Sequence, residues 1–148
     1  MKKIYYTWNK IYRVSFSIKV SKMANANVIH FTTGLDQSIY SLFFIGSQIP
    51  AVWLNKSGFF HICSTVSGNR NYCKNINYSL GKQYDITIQQ YNHNGKYMYE
   101  IIINGLTKVC VENTQPRIFS HVKEYTSNPW YSSFTSDFGN IFNLEIEQ

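Results

Sequence analysis

Hydrophobic residues recur at every second position over long stretches of the chain. Tyr12, Val14, Phe16, Ile18 and Val20 alternate with Arg13, Ser15, Ser17 and Lys19. Tyr84, Ile86 and Ile88 alternate with Asp85, Thr87 and Gln89, and Phe142, Leu144 and Ile146 with Asn143, Glu145 and Glu147. Successive side chains of a strand point to opposite faces, so each stretch predicts a strand with one wet and one dry side. No window carries a convincing i, i+3, i+4, i+7 stripe, and no helix is predicted. Turn chemistry separates the strands. Asn104-Gly105 stands between 97–103 and 106–112, and Asn94-Gly95 between 84–91 and 97–103. Ser57-Gly58 and Gly68-Asn69 mark two earlier turns. Asn-Gly pairs take the positive φ angles of a type I′ hairpin at little cost, so residues 49–112 read as an antiparallel meander. Pro50, Pro116 and Pro129 are placed at strand ends or loops, where a missing N–H does no harm. Residues 34–46 and 126–139 show no strand pattern. A sheet with one dry face must hide it, so the chain is expected to be all-β, a two-sheet antiparallel sandwich forming one domain over residues 1–148.

Composition agrees with a packed domain. A chain of 148 residues is long enough to bury roughly two-thirds of its unfolded surface. Hydrophobic residues make up 44% and charged residues 15%, the reverse of the balance that keeps a chain disordered. Aromatic residues reach 17%, which favours strands. No apolar run approaches the ~20 residues of a membrane span. The start, Met1-Lys2-Lys3 followed by Ile4-Tyr5-Tyr6-Thr7-Trp8, is too polar for a secretory leader. An extracellular location is therefore expected only if the chain belongs to a larger secreted protein.

The net charge of +6 arises from 14 Lys and Arg against 8 acids, and only Lys2 and Lys3 are adjacent among the cations. Dispersed cations keep a protein soluble, whereas a nucleic-acid binder clusters them, so no specific nucleic-acid partner is expected. Cys63, Cys73 and Cys110 lack the spacing of a structural zinc motif. His61 and Cys63, two apart, would share a face of a strand and make half a metal site at most. A Cys63–Cys73 disulfide is conceivable in a secreted protein, but the odd count favours reduced, buried thiols.

More specific sequence echoes run from Asn27-Val28-Ile29-His30-Phe31-Thr32-Thr33-Gly34, through Ile49-Pro50-Ala51-Val52-Trp53-Leu54, to 60–69. They continue in Asn94-Gly95-Lys96-Tyr97, in Ile103-Asn104-Gly105 and in Asn128-Pro129-Trp130-Tyr131. With strands at both termini flanking a long meander, these stretches resemble the concanavalin-A-like, laminin-G-like jelly-roll modules of invertebrate extracellular modular proteins. The resemblance covers most of the chain. It implies a jelly-roll sandwich with a binding or adhesive role and carries no catalytic residue.

Catalytic chemistry has little to stand on. A glycosidase needs two carboxyls around a sugar cleft, and only Glu145 and Glu147 stand two apart, on the wet side of a terminal strand. No GxSxG, HExxH or phosphate-binding glycine loop occurs. Binding has more. Asn128-Pro129-Trp130-Tyr131-Ser132-Ser133-Phe134 puts three rings in a loop. Trp130 is read as a plug over the sandwich end more readily than as a platform, and Tyr131 as the better ligand contact; both are carried as stacking candidates. Arg70, Asn71 and Tyr72, beside the turn at 67–69, supply donors, an acceptor and a ring face, against the alternative of a solvated hairpin tip. His30 and His61, inside apolar strands, read as hydrogen-bonded sheet residues. No cofactor or metal is expected. Calcium is the one ion the resemblance brings in, and Asp36 and Asp137 are the only loop acids to hold it. Asn55-Lys56-Ser57 and Asn77-Tyr78-Ser79 match the N-glycosylation sequon, which matters only on the secretory path.

The sequence is thus read as a non-catalytic module that recognises carbohydrate or a glycoprotein through loops at one rim or a concave sheet face. The alternative is a protein–protein or adhesion module, including self-association. A third reading is a binder of sulfated polyanions.

Overall fold

The computed structural model describes residues 3–34, 47–126 and 138–148. Among them the chain forms eleven strands: β1 (Lys3–Trp8), β2 (Tyr12–Val20), β3 (Ala26–Thr32), β4 (Gln48–Asn55), β5 (Phe59–Val66), β6 (Asn69–Asn77), β7 (Gln83–His93), β8 (Lys96–Ile103), β9 (Leu106–Glu112), β10 (Phe119–Tyr125) and β11 (Gly139–Glu147). They pair antiparallel in two sheets, ordered β1-β10-β3-β4-β5-β6 and β11-β2-β7-β8-β9. The expected meander is real but divided. Its first half, β4-β5-β6, lies in the six-stranded sheet and its second, β7-β8-β9, in the five-stranded sheet. Alternation marks the dry face of a strand but not which of two sheets it joins.

The dry faces meet between the sheets. Val14, Ile18 and Val20 of β2, with Ile86 and Ile88 of β7 and Ile101 of β8, face Ile29 and Phe31 of β3 and Phe60 and Ile62 of β5. Each such side chain contributes roughly 1.5–3 kcal/mol on burial. Phe60 packs against Tyr84 across the sheets, with ring centroids 5.5 Å apart. The Asn94-Gly95 and Asn104-Gly105 turns form as the sequence predicts, with both asparagines at positive φ, while the turn expected at Gly68-Asn69 lies one residue earlier, at Ser67-Gly68, and Asn69 already opens β6. At one end of the sandwich the buried Asn113 ties three segments together. Its Oδ1 accepts from the Ser67 and Gln115 amides, and its Nδ2 donates to Gln90 Oε1.

Two expectations are corrected. Cys63 and Cys73 are joined in a disulfide, and the exposed Cys110 is the free thiol. The turn after Val66 folds the chain so that Cys63 and Cys73 become direct partners of the β5–β6 ladder, a proximity that an odd count of cysteines does not reveal. Pro50 lies inside β4 rather than at a strand end. The β3–β4 ladder slips its register between His30↔Ala51 and Thr32↔Gln48, so the missing N–H of Pro50 falls where regular pairing is already interrupted. Pro129 lies outside the described residues.

Candidate functional site

The sheets' open side is bounded by their edge strands, β6 on one and β9 on the other. There the structure forms a cleft of about 240 Å³, lined by Ile76 and Asn77, Lys82 and Tyr84, Ile103 and Asn104, and Leu106 and Lys108. Each part has a local cause. Ile76 and Ile103 are dry-face residues that reach the edge of the core. Tyr84 is nearly buried, and its hydroxyl accepts from the Ser79 amide, fastening the connection between β6 and β7 to the cleft floor. Lys82, on that connection, holds its ammonium 5.2 Å from the Tyr84 ring centroid, a distance at which the ring's electron-rich face attracts a cation. Asn104 occupies the β8–β9 turn, where its Oδ1 accepts from the Asp85 amide.

Lys108 owes its place to an irregularity. The β8–β9 ladder steps from Ile101↔Val109 to Ile102↔Thr107, leaving Lys108 as an extra residue on β9. Such bulges re-aim a side chain that strict alternation would fix. Leu106, 63% exposed, forms the lip. Among the described residues the lining therefore combines two lysines, two amides, one aromatic ring and three aliphatic side chains, with no carboxylate. The nearby Asp85 carboxylate turns to the outer face of its sheet, where it accepts from Ser17 and Gln83; these hydrogen bonds stabilise the charged form and lower its pKa. The cleft is suited to an anionic group with apolar neighbours. Its volume is below the roughly 300–1,000 Å³ of drug-sized sites, which fits one end group rather than a buried polymer.

Arg70, Asn71 and Tyr72 lie in strand β6, not at a hairpin tip. The β5–β6 ladder slips between Ser64↔Tyr72 and Val66↔Asn69, so Arg70 and Asn71 together oppose a single residue, and both are exposed. Tyr72 rejoins the ladder with its ring turned inward, edge-on to Tyr99 at 6.1 Å. The structure thus keeps Arg70 and Asn71 together and turns the half-buried Tyr72 ring against the edge of the core, with the Lys74 ammonium 5.1 Å from its centroid. Trp130 and Tyr131 lie outside the described residues, as do Asp36 and Asp137. Glu145 and Glu147 are exposed on the edge strand β11, and Glu147 pairs with Arg13. His30 is fully buried; burial holds its pKa down at about 3, slightly offset by a hydrogen bond with Gln48. His61 is half-buried on the outer face of the six-stranded sheet, with Nδ1 2.6 Å from Asn75 Oδ1 and its ring 5.7 Å from that of Trp53. Sequence reasoning missed Lys82 and Lys108. Neither belongs to a motif, and only the fold brings residues 76–84 and 103–108 together.

In sequence, the chain matches no protein-family model and none of the curated proteins. In structure it is similar to the native heptameric SAP-like pentraxin from Limulus polyphemus, with a TM-score of 0.62 and 12% identity over 98% of this chain. It is also similar to a sialidase, with a TM-score of 0.50 and 13% identity over 94% of this chain. Sheep galectin-11, in a complex with glycerol, aligns over 98% of this chain and 95% of its own at 8% identity and a TM-score of 0.46. The chain spans 66% of the pentraxin chain and 13% of the sialidase chain. At such identities the likeness concerns architecture alone, an antiparallel two-sheet jelly-roll sandwich.

Proposed function

We propose that the chain is a non-catalytic module that recognises carbohydrate or glycoconjugate, and that the cleft between β6 and β9 receives a sulfated or carboxylated end group. One observation carries this reading: Lys82 and Lys108 both line a small cleft that has amide and aliphatic walls and, among the described residues, no lining carboxylate. Ammonium groups donate charge-assisted hydrogen bonds to sulfate or carboxylate oxygens, and the aliphatic side chains take the C–H faces of a sugar ring. Arg70 and Asn71, together on the same edge strand beside the half-buried Tyr72, are the second candidate contact; Trp130 and Tyr131, outside the described residues, are kept as candidate stacking rings.

The disulfide favours an oxidising, extracellular setting, in keeping with a laminin-G-like module of a larger secreted protein. A glycan array, repeated with EDTA and at high salt, tests the reading. Protein from a non-glycosylating host is required, because Asn77 lies in a sequon and lines the cleft. Binding to acidic glycans, unchanged by EDTA and weakened by Lys82→Ala, Lys108→Ala and salt, is the expected result. A blank array, or hits indifferent to both substitutions, would remove the cleft from consideration, and loss on EDTA would bring calcium in. The second reading is association with a protein partner or another copy, favoured by the exposed Leu106 on the open strand β9; light scattering across a concentration series measures it.

A further inference from the structure

On the outer face of the six-stranded sheet, remote from the dry core, two neighbouring ladder pairs of β5 and β6 make a square of polar side chains. Cys63 stands opposite Cys73 and His61 opposite Asn75. Donor atoms of His61, Cys63 and Cys73 all lie within 4.8 Å of one another. Sequence alone offers only the His61-Cys63 half of this group, and the hairpin supplies the third member. We propose that reduction of the Cys63–Cys73 disulfide opens a binding site for a thiophilic d-block cation such as Zn²⁺, held by both thiolates and the His61 imidazole.

The chemistry balances. A dithiol reductant gives two electrons and two protons to the S–S bond, its own sulfurs closing into a disulfide while Cys63 and Cys73 become thiols. Zn²⁺ then displaces the two thiol protons, and two thiolates with a neutral imidazole neutralise its charge. The geometry is close to what the ion needs. Bonds of about 2.3 Å to sulfur and about 2.0 Å to nitrogen in a tetrahedron put ligand atoms about 3.4–3.8 Å apart, so the two sulfurs, once released from their bond, must part while the imidazole closes in by up to an ångström or so.

The His61 tautomer is already set. The carbonyl oxygen of Asn75 can only accept, so Nδ1 carries the proton in their hydrogen bond and Nε2 keeps the lone pair. A metal-ligating imidazole commonly has its other nitrogen held in this way by a carbonyl or carboxylate. Cys63 is buried while Cys73 and His61 are half-exposed, so the ion can enter from solvent and a water can complete the tetrahedron. The oxidised chain has no thiolates to offer and does not bind. The site would report the redox state of its surroundings.

The test uses the full chain carrying Cys110→Ser, reduced with a dithiol, desalted without oxygen and titrated with Co²⁺. One Co²⁺ per chain is expected, with the strong visible bands of a tetrahedral site and thiolate charge transfer in the near ultraviolet, and Zn²⁺ should displace it. His61→Ala should weaken binding at least ~10-fold, and Asn75→Ala by a similar factor through the freed imidazole. Octahedral spectra, equal binding by the oxidised protein, or no effect of His61→Ala would overturn the proposal. If reduction unfolds the chain, far-ultraviolet circular dichroism becomes the readout. Zn²⁺ should then refold the reduced chain but not its His61→Ala variant, and failure to refold it would count against the site.

Discussion

The Cys63–Cys73 crosslink should contribute stability of a size that its loop determines. The two residues are 10 apart in sequence. In the chain-entropy treatment, closing a loop of that length removes about 9 cal/mol/K from the unfolded chain, or about 2.7 kcal/mol at room temperature. Among the described residues β6 is an edge strand paired only with β5, so the bond also fastens a strand that has a neighbour on one side. Cys73→Ala breaks the crosslink while leaving the buried Cys63 in place, and a Cys110→Ser background prevents mispairing. For a domain of 148 residues, an unfolding entropy near 2.1 cal/mol/K per residue converts the loss into a fall of about 9 °C in Tm. Differential scanning calorimetry of both proteins, with peptide mapping of the parent without reductant, measures it. Equal midpoints for two folded proteins would refute the reasoning, showing either no crosslink or an unfolded chain that gains nothing from its absence.

Three further outcomes follow from buried or constrained groups. His30 has an ordinary pKa of 6.5 and is held near 3 by burial, so the unfolded chain takes up a proton that the folded chain refuses. Stability should fall as pH drops below about 6.5, approaching 1.4 kcal/mol per pH unit, and urea melts at pH 7 and 5 should show a smaller slope in His30→Gln. Asn113→Ala strands the Ser67 amide and Gln90 Oε1; a chemical melt should show a loss of about 1–3 kcal/mol, and less than half a kilocalorie would contradict the network. Gly105→Ala meets no atom within 4 Å, but its φ is +77°. The backbone conformation alone should cost about 1–2 kcal/mol in the same melt, and a neutral result would argue against the turn geometry.

The elements were readable because each is a local matter. The dry side of β2, the Asn-Gly turns and the absence of helical stripes depend on residues within a few positions of one another. Assignment of strands to sheets was not readable, because nothing in the local pattern announces that β6 and β7 part company at the 78–82 connection. The cleft suffers from the same limit. Lys82 and Lys108 are distant in sequence, and Lys108 reaches its place through a bulge that alternation does not announce. Tyr72 misleads for the opposite reason: beside Arg70 and Asn71 it looks like part of a polar tip, but the ladder resumes there and turns its ring toward Tyr99. The His61-Cys63 spacing was visible as half of a site, and only the hairpin pairing showed its third member.

The proposed function turns on an acidic saccharide binding between β6 and β9. The most direct measurement is calorimetric titration of a sulfated oligosaccharide into the parent chain and into Lys82→Ala/Lys108→Ala, at ~0.1 M and ~1 M salt, where the screening length shrinks from about 10 Å to about 3 Å. Saturable binding by the parent at low salt is expected, with at least ~10-fold weaker binding by the double variant if each lost charge contact is worth upwards of about 0.7 kcal/mol, and a steep loss for the parent at high salt. Equal affinity of the two proteins at low salt would contradict the proposed function.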